Sequence, residues 1–344
     1  MTPAIPEGPQ DLTGAWLGAV LGHETGPVMG QRIGEEAGFT GGGLYRLTTA
    51  EGSWVVKLSP SDPATRALLT RANQREVRFY TELSAGLPVP DCAYGAVDAD
   101  TGASVVVLQD LAGFRAGDFR AGLSAVETAA VADALADIHA AWWDAAALRG
   151  LSGVAMLAEF GFADCWAAYP RAVARLLPEV TLPRAFLALG DHIAAHAEAL
   201  FSGLLEHGPL TVLHRDCQAD NVMFDGDGGA VILDWQLLGK GRGVYDVAYL
   251  LISSLQPELR RTIEAEVVRR YHDRLCARGV TGYGFEECWA DYRRAVIGKV
   301  FLTTVATVLL GNDTAHRRAW RRVDLERLIA FCADHGLGPG DFPV

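Results

Sequence analysis

Two short stretches decide the fold: His214–Asn221 (HRDCQADN) and Val231–Trp235 (VILDW). The residues around them predict two strands, Val222–Phe224 and Ala230–Asp234, which the turn sequence DGDGG joins into a β-hairpin. A hairpin brings its two ends together. The side chain just before the first strand and the side chain that ends the second strand can therefore face a single point.

Three side chains of this region can handle metals or protons. Asn221 stands at the start of the first strand, Asp234 at the end of the second, and Asp216 in the loop before the hairpin. Amide and carboxylate oxygens suit Mg²⁺, which takes one or two carboxylates and completes its shell with phosphate and water. We therefore expect Asn221 and Asp234 to hold Mg²⁺ and Asp216 to accept the proton of an attacking hydroxyl.

The character of the chain changes near residue 112. Before it, three strand-like runs and one helical run stand out, over Leu44–Thr48, Trp54–Leu58, Ser104–Leu108 and Pro63–Ser84. After it, the predicted helices are Leu123–Trp143, with Ser124 and Glu127 as a capping box, Ala185–Leu205, Glu258–Arg278, Phe285–Leu310 and Val323–Cys332. We predict a bilobal α+β fold, with a β-rich lobe over residues 1–111, a helical lobe over residues 112–344 and a connection at about residues 108–113. A ligand would lie between the lobes.

The composition excludes several classes of protein. The chain has 344 residues, with 30 Lys and Arg against 42 Asp and Glu, hence a net charge of −12. Half of the residues are hydrophobic and 21% are charged, which excludes a largely disordered chain. The acidic balance argues against binding to nucleic acids or anionic membranes, because both need clustered cations.

Other features bear on cellular location. No stretch approaches the roughly 20 uninterrupted apolar residues of a membrane span, and the proline-rich start lacks the layout of a secretion signal. The six cysteines show no Cys-x-x-Cys spacing, so they predict reduced thiols and neither disulfides nor a zinc site. We expect a cytoplasmic protein. Its oligomeric state cannot be read from the sequence.

The spacing of His-Arg-Asp, Asn221 and a following Asp resembles that of the protein-kinase-like phosphotransferases. The sequence Asp-Trp-Gln at residues 234–236 is similar to the branch of aminoglycoside phosphotransferases and choline/ecdysteroid kinases, whereas protein kinases have Asp-Phe-Gly. Arg215 departs from the glycine that is commoner in that branch, which leaves the subfamily open. The resemblance covers residues 30–310 and implies a kinase-like fold, Mg²⁺, and ATP or GTP as phosphate donor.

The resemblance also implies nucleotide-binding roles. Gly41, Gly42 and Gly43 lie in a glycine-rich turn whose backbone N–H groups could approach phosphate oxygens. Lys57 is a charge in an otherwise apolar strand, which is costly unless it is paired. By resemblance it would contact the α- and β-phosphates, with a carboxylate of the next helix as its partner. We choose Glu76 for this partner.

Glu82 is the alternative partner of Lys57. The run that ends the β-rich part resembles the hinge strand of kinases, where backbone groups from Gln109 to Leu111 would hydrogen-bond the edge of an adenine or guanine. Asp246, near the start of a later helix, is expected to support the loop that carries Asp216. His139 is predicted to be a buried, hydrogen-bonded histidine of the core.

The segment from Asp234 to Asp246 is short, and no Ala-Pro-Glu follows it. It cannot form the long activation loop on which protein kinases dock peptides. We therefore expect a small-molecule kinase that transfers the γ-phosphate of ATP or GTP to a hydroxyl group. An antibiotic-inactivating O-phosphotransferase is the alternative within the family. A nucleotide-binding pseudokinase or regulatory module is the alternative of another class.

Overall fold

The computed structural model describes residues 3–34, 42–151, 167, 169–176, 180–309 and 314–344. It divides into two compact units, Met1–Phe114 with Leu233–Leu238, and Arg115–Ile232 with Gly239–Val344. The first division lies three residues beyond the expected boundary at residue 111. The sequence did not predict that the segment after the hairpin, Leu233–Leu238, belongs to the first unit.

A five-stranded antiparallel sheet forms the centre of the first unit. Its strands are β1 (Met29–Arg32), β2 (Gly43–Thr48), β3 (Ser53–Leu58), β4 (Cys92–Val97) and β5 (Ser104–Gln109), in the spatial order β1-β2-β3-β5-β4. β5 pairs with a neighbour on each side, and its residues from 104 to 108 are all buried. β2, β3 and β5 confirm the three predicted strands, whereas β1 and β4 were not predicted.

The two faces of the sheet have different roles. Side chains alternate between the faces of a strand. Val56 of β3 packs on one face with Leu12 and with Leu17 of helix α1 (Gly14–Leu21). Lys57 must therefore point to the opposite face.

Helix α2 (Pro63–Arg78) confirms the predicted helix that follows β3. The Asp62 side chain caps its start by accepting a hydrogen bond from the Thr65 N–H at 2.8 Å, and proline at the first helical position costs no hydrogen bond. The helix continues into a π-helical turn, Phe79–Leu83, which confirms the predicted end near Ser84. This last turn is wider than a turn of α-helix.

Helices make up most of the second unit. They are α3 (Ala125–Ala141), α4 (Tyr169–Leu176), α5 (Arg184–Leu205), α6 (Val244–Ser254), α7 (Pro257–Ala277), α8 (Phe285–Arg294), α9 (Val296–Leu309) and α10 (Ala315–Asp334). The single helix predicted over Phe285–Leu310 is in fact α8 and α9. The capping box of α3 is confirmed, since Ser124 N–H donates to the Glu127 carboxylate at 2.7 Å and Glu127 N–H donates to Ser124 Oγ at 3.3 Å. Within the described residues, none of these helices combines the length and apolarity of a membrane-crossing segment.

Five short strands complete the second unit. They are β6 (Arg115–Ala116), β7 (Thr211–Leu213), β8 (Val222–Phe224), β9 (Ala230–Ile232) and β10 (Gly239–Gly241), with β6-β8-β9 forming one sheet and β7-β10 another. The predicted hairpin is β8-β9, and Asp225 Oδ1 organises its turn by accepting from the N–H groups of Asp227 and Gly229. β9 ends two residues earlier than expected, so Asp234 lies beyond the strand.

Candidate active site

Lys57, Glu76 and Asp234 form what we call the lysine cluster of the first unit. Lys57 Nζ lies 2.7 Å from Glu76 Oε1 and 3.0 Å from Asp234 Oδ1. Glu82, the alternative partner, instead accepts a hydrogen bond from Arg78 Nε at 3.2 Å. The expected pairing of Lys57 with Glu76 is therefore present, while its role toward a nucleotide stays a prediction.

Burial sets the electrostatics of the lysine cluster. The Glu76 side chain is only 4% exposed, and burial raises its pKa to about 7 although the Lys57 charge opposes the shift. Burial also acts to lower the pKa of Lys57, but the carboxylates of Asp234 and Glu76 outweigh it and raise that pKa. Lys57 thus keeps its charge. Asp234, at 41% exposure, is the most accessible member of the cluster.

The backbone at Asp234 is left-handed, with φ 61° and ψ 71°. A non-glycine residue rarely adopts this conformation unless its surroundings impose it. The next residue supplies a strong constraint, because the buried Trp235 ring stacks on Phe79 with centroids 3.6 Å apart and an angle of 6° between the planes. Trp235 therefore anchors Asp234 to the end of α2.

One face of α2 receives the segment around Asp234. Asn73, Glu76 and Phe79 follow each other at intervals of three residues, so they lie on the same side of the helix. Asn73 Oδ1 accepts a hydrogen bond from Gln236 Nε2 at 3.4 Å. The sequence interpretation found Glu76 and missed its two neighbours, although their spacing was visible.

The glycine-rich turn is described only in part, because Gly41 lies outside the described residues. Gly43 begins β2 and pairs with Leu58. A Cβ atom on Gly42 would lie 2.6 Å from the Leu58 carbonyl oxygen, so the close approach of β3 requires glycine there. A phosphate-binding role for Gly41, Gly42 and Gly43 stays a prediction.

The end of β5 is the predicted hinge strand. The Gln109 N–H donates to the Asp91 carbonyl at 2.8 Å, and the Leu111 carbonyl accepts from the Phe114 N–H at 2.8 Å. Two of the backbone groups that we expected to meet a base are thus already used within the unit. Base recognition by Gln109 and Leu111 stays a prediction.

Between them, Asp110 is a buried carboxylate that the sequence interpretation missed. It accepts hydrogen bonds from Arg46 Nε at 2.7 Å, Arg46 Nη2 at 3.1 Å and Ser53 Oγ at 2.6 Å. Burial would raise the pKa of Asp110, but the bonds from Arg46 and Ser53 outweigh it and hold the pKa below its usual value. These contacts tie the end of β5 to β2 and β3.

In the second unit, residues 214–221 form what we call the aspartate loop. Asp246, in the first turn of α6 and fully buried, accepts from the His214 N–H at 2.7 Å and from the Arg215 N–H at 2.8 Å. Arg215 has a left-handed backbone, with φ 69°. The loop-supporting role predicted for Asp246 is confirmed by these contacts.

A buried histidine, His139, contacts the Asp246 carboxylate. His139 Nε2 lies 3.2 Å from Asp246 Oδ2, and His139 Nδ1 lies 2.9 Å from the Tyr271 hydroxyl. Neither side of the ring is exposed to solvent. This confirms the prediction that His139 is a hydrogen-bonded core residue, and it adds Tyr271 to the support of the loop.

Asp216 and Asn221 contact each other within the aspartate loop. Asn221 Nδ2 donates to the Asp216 carbonyl at 2.9 Å and to Asp216 Oδ2 at 3.1 Å. The Asp216 N–H donates to His214 Nδ1 at 3.1 Å. The Asp216 carboxylate is therefore oriented by its own loop.

The predicted site residues thus fall into two groups. The first unit brings Asp234 together with the Lys57–Glu76 ion pair, and the second unit brings Asp216 together with Asn221. Coordination of one Mg²⁺ by Asn221 and Asp234 would join residues of different units, and it stays a prediction.

Comparison with known proteins gives the chain a family. It matches the phosphotransferase enzyme family, APH, over residues 42–285. No curated protein matches it significantly. Three solved structures are similar to it: choline kinase LicA from Streptococcus pneumoniae (17% identity, 88% of this chain and 93% of that chain, TM-score 0.52), the ethanolamine kinase of Plasmodium vivax (11%, 89% and 81%, 0.55) and spectinomycin phosphotransferase APH(9)-Ia (12%, 90% and 94%, 0.51).

At these identities the structural matches concern the fold. The antiparallel sheet of the N-terminal part and the helices of the C-terminal part are those of the kinase-like α+β fold, as predicted. The family match covers more than half of the chain. The chain is therefore a member of the APH phosphotransferase enzyme family, a small-molecule phosphotransferase.

Proposed function

We propose that this phosphotransferase transfers the γ-phosphate of ATP to a hydroxyl group of a small molecule, with Asp216 as the base. Spectinomycin phosphotransferase, one of the similar structures, contains ADP and spectinomycin, and the other two are named as kinases of choline and ethanolamine. These names support an adenine nucleotide as donor and a small hydroxylated molecule as acceptor.

The observation that carries the proposal is the state of Asp216. Its carboxylate is half-buried and accepts from Asn221 Nδ2, in a loop whose backbone is fixed by the buried Asp246. A general base must be held in one orientation before the substrate arrives. The fixed orientation of the Asp216 carboxylate is what a general base needs, and it supports a catalytic role for the loop.

We assign to Lys57 the role of binding the phosphates of the nucleotide. Glu76 holds the ammonium group from the buried side, and the more exposed Asp234 is the partner next to which phosphate oxygens would enter. A cation placed on the transferring phosphates stabilises the charge that develops there. For the base of the nucleotide, the Gln109 N–H and the Leu111 carbonyl are already hydrogen-bonded within the unit.

The donor atoms fit Mg²⁺. Asn221 directs its amide nitrogen to Asp216, so its oxygen is the atom left for a cation, and Asp234 offers an accessible carboxylate. Such oxygen ligands, with phosphate and water, are those that Mg²⁺ prefers. When bound, the ion would neutralise phosphate charge.

The chemical step follows from these roles. Asp216 orients the acceptor hydroxyl and takes its proton as the oxygen attacks the γ-phosphorus. The bond between the γ-phosphorus and the oxygen that bridges it to the β-phosphate breaks, and ADP leaves with that bond's electron pair. The products are a phosphate monoester and ADP.

A screen for transfer of labelled γ-phosphate to hydroxylated compounds tests the proposal. The panel includes amino alcohols such as choline, aminoglycosides, spectinomycin and uncharged alcohols. We expect Asp216→Asn to lower turnover about 10²–10⁴-fold, the range of a positioned general base. Asp227→Asn, which removes an exposed carboxylate from the hairpin turn, is the matched control.

Two results would contradict the proposal. If the Asp216→Asn variant turned over at nearly the wild-type rate, Asp216 would not be the general base. Tight binding of ATP with neither transfer nor hydrolysis by the wild type would indicate a pseudokinase.

A further inference from the structure

The end of the aspartate loop is held by groups from outside the loop. The Ala219 N–H donates to Ser254 Oγ, in the last turn of α6, at 2.9 Å. The next residue, Asp220, accepts from the Phe119 N–H through its Oδ1 at 2.9 Å. Because Asn221 follows directly, the backbone from which its side chain extends is restrained by both bonds.

Residues 117–123 form what we call the supporting segment. It lies directly on the aspartate loop, since a Cβ atom on Gly117 would be 2.3 Å from the Ala219 carbonyl oxygen, and this close approach requires glycine. Its end lies on α6, where the Ser254 carbonyl accepts from the Leu123 N–H at 2.7 Å. Ser254 therefore contacts the aspartate loop through its side chain and the supporting segment through its backbone.

Arg327 of α10 joins the supporting segment to α6. Its Nη1 donates to the Phe119 carbonyl at 2.7 Å and to the Ser253 carbonyl, and its Nη2 donates to the Arg120 carbonyl at 3.3 Å. Trp320, two turns earlier on the same helix, stacks on the Phe119 ring with centroids 4.5 Å apart. A single guanidinium group thus holds both elements that contact the end of the aspartate loop.

The burial of Arg327 is costly. The residue is 3% exposed, and among the described residues its hydrogen bonds go to carbonyl groups and it forms no ion pair. Burial lowers the pKa of Arg327, and the charges of Asp118, Asp220 and Asp324 oppose that shift without reversing it. Proteins seldom bury a charge without a paired carboxylate, which favours a role for Arg327 beyond filling the core.

We propose that Ser254 and Arg327 are positioning residues for phosphoryl transfer. Ser254 holds the end of the aspartate loop, and Arg327 holds the last turn of α6 together with the supporting segment. The inference rests on the proposed function, because it takes Asn221 as a metal ligand and Asp216 as the base. Because Asn221 Nδ2 donates to Asp216 Oδ2, a shift of Asn221 would displace both groups. A small misplacement of a catalytic group lowers the rate strongly.

The first test is Ser254→Ala, which removes the acceptor of the Ala219 N–H. The activity probe is ATP with Mg²⁺ and water as the acceptor, so that no acceptor alcohol needs to be known. We expect kcat to fall about fivefold while KM for ATP stays within about twofold, because the proposed phosphate contact, Lys57, lies in the first unit. In the protein without metal and nucleotide, amide hydrogen exchange in the aspartate loop should become about tenfold faster.

Ser253→Ala is the matched control. Both serines are fully buried in the last turn of α6, but Ser253 Oγ has no hydrogen-bond partner among the described residues. The control loses the same hydroxyl without losing a bond, so we expect kcat and loop exchange to match those of the wild type. The role of Ser254 is contradicted if folded Ser254→Ala keeps wild-type kcat or wild-type exchange, or if Ser253→Ala changes them as much.

The second test is Arg327→Met, which removes the guanidinium group and keeps an unbranched side chain. We expect kcat to fall about tenfold and hydrogen exchange to become faster in both the aspartate loop and the supporting segment. The unfolding midpoint should also fall, because three carbonyls lose their donor.

Arg293→Met is the control for Arg327→Met. Arg293 Nη2 donates to the His335 carbonyl at 3.1 Å, and its partners lie outside the aspartate loop and the supporting segment. We expect this variant to have a lower unfolding midpoint and wild-type kcat. An equal loss of kcat in Arg293→Met would show that the effect of Arg327→Met is general destabilisation.

Arg327→Lys takes the place of Arg327→Met if the methionine variant does not fold. Lysine keeps the charge and lacks the planar fork of arginine, so we expect kcat to fall about threefold. A folded variant of Arg327 with wild-type kcat and wild-type loop exchange would overturn its positioning role.

The outcomes separate this inference from the proposed function. A wild type that neither hydrolyses ATP nor transfers phosphate contradicts the proposed function. An active wild type whose Ser254→Ala and Arg327 variants are equally active contradicts only the positioning role.

Discussion

The lysine cluster and the aspartate loop keep their functional side chains in place by different means. In the lysine cluster, opposite charges hold each other: Lys57 contacts Glu76 and Asp234, and two of the three side chains reach solvent. In the aspartate loop, a buried carboxylate of α6 holds backbone amides, and no part of that carboxylate is exposed.

The difference indicates how each region would respond to a nucleotide. Ion pairs can exchange partners, so in the proposed function an incoming phosphate would take a place beside Lys57 next to the exposed Asp234. Backbone amides bound to a buried carboxylate have no such alternative, because leaving them unpaired costs the full penalty of desolvation. We infer that the lysine cluster adapts to the ligand and that the aspartate loop is preorganised.

The largest effect is expected where the aspartate loop is anchored. Asp246→Asn replaces a charged acceptor of two amides by a neutral group whose amide nitrogen cannot accept. Because hydrogen bonds to a charged group contribute about 1.5–3 kcal/mol each, the free energy of unfolding should fall by about 3 kcal/mol or more. Chemical denaturation of the wild type and of the variant measures this difference in the free energy of unfolding.

Asp133→Asn is the control for that variant. Asp133 forms an ion pair with Arg270 across an exposed surface, at 2.7 Å. Such pairs contribute about 0–1 kcal/mol. If Asp246→Asn lowered the free energy of unfolding no more than Asp133→Asn does, the aspartate loop would not depend on Asp246. The contrast between the two regions would then disappear.

A somewhat smaller effect, on catalysis, is expected for Lys57→Met. Loss of the cation that we propose to bind the phosphates should lower kcat/KM for ATP about 10²-fold, or about 2.7 kcal/mol. Stability should change little near neutral pH, because burial raises the pKa of Glu76 to about 7 and its carboxyl can take up a proton once the cation is removed.

Lys240→Met is the matched control, since Lys240 is also half-buried and lies 2.9 Å from Glu206 in the second unit. We expect its kcat/KM to equal that of the wild type. Wild-type ATP hydrolysis by Lys57→Met would show that the lysine cluster is a structural ion pair only.

The smallest effect is expected for Asp110 of the first unit, whose carboxylate accepts hydrogen bonds from Arg46 and Ser53. Asp110→Asn should cost about 2 kcal/mol at pH 7, because the bonds from Arg46 and Ser53 are made to a charged group. The pKa of Asp110 is lowered by folding. Its contribution is therefore complete above the unfolded-state pKa near about 4 and is lost as the pH falls through the lower folded-state value.

Unfolding free energies of the wild type and of Asp110→Asn, measured from pH 3 to 8, check this prediction. The difference between them should be constant above about pH 5 and should shrink below about pH 4. A difference that stays constant down to pH 3 would mean that the charge of Asp110 contributes nothing.

Local patterns were enough for much of the fold. Apolar runs bounded by turn residues predicted β2, β3, β5 and the β8-β9 hairpin, and the capping box predicted the start of α3. The charge of Lys57 in an otherwise apolar strand predicted a carboxylate partner on the next helix, and Glu76 of α2 is 2.7 Å from it. These features depend on neighbours in sequence, which is why a single sequence reveals them.

What the sequence did not reveal depends on distant contacts. Asp110 resembles any polar residue at a strand end, since its partners Arg46 and Ser53 are 64 and 57 residues away. The strand that was expected to end at Asp234 ends at Ile232, because the stacking of Trp235 on Phe79 draws the next residues into the first unit. The apolar pattern from Phe285 to Leu310 is continuous and gives no sign of the break between α8 and α9.

The return of Leu233–Leu238 to the first unit has a consequence for biosynthesis. Domains generally fold in order as the ribosome releases them, the N-terminal one first. Here a chain released only as far as Phe114 would lack Trp235 and Gln236, so the aromatic face of Phe79 would stand uncovered and Asn73 would lack its partner. The N-terminal sheet is translated first, yet the unit that contains it is completed only after Arg115–Ile232 of the second unit has emerged.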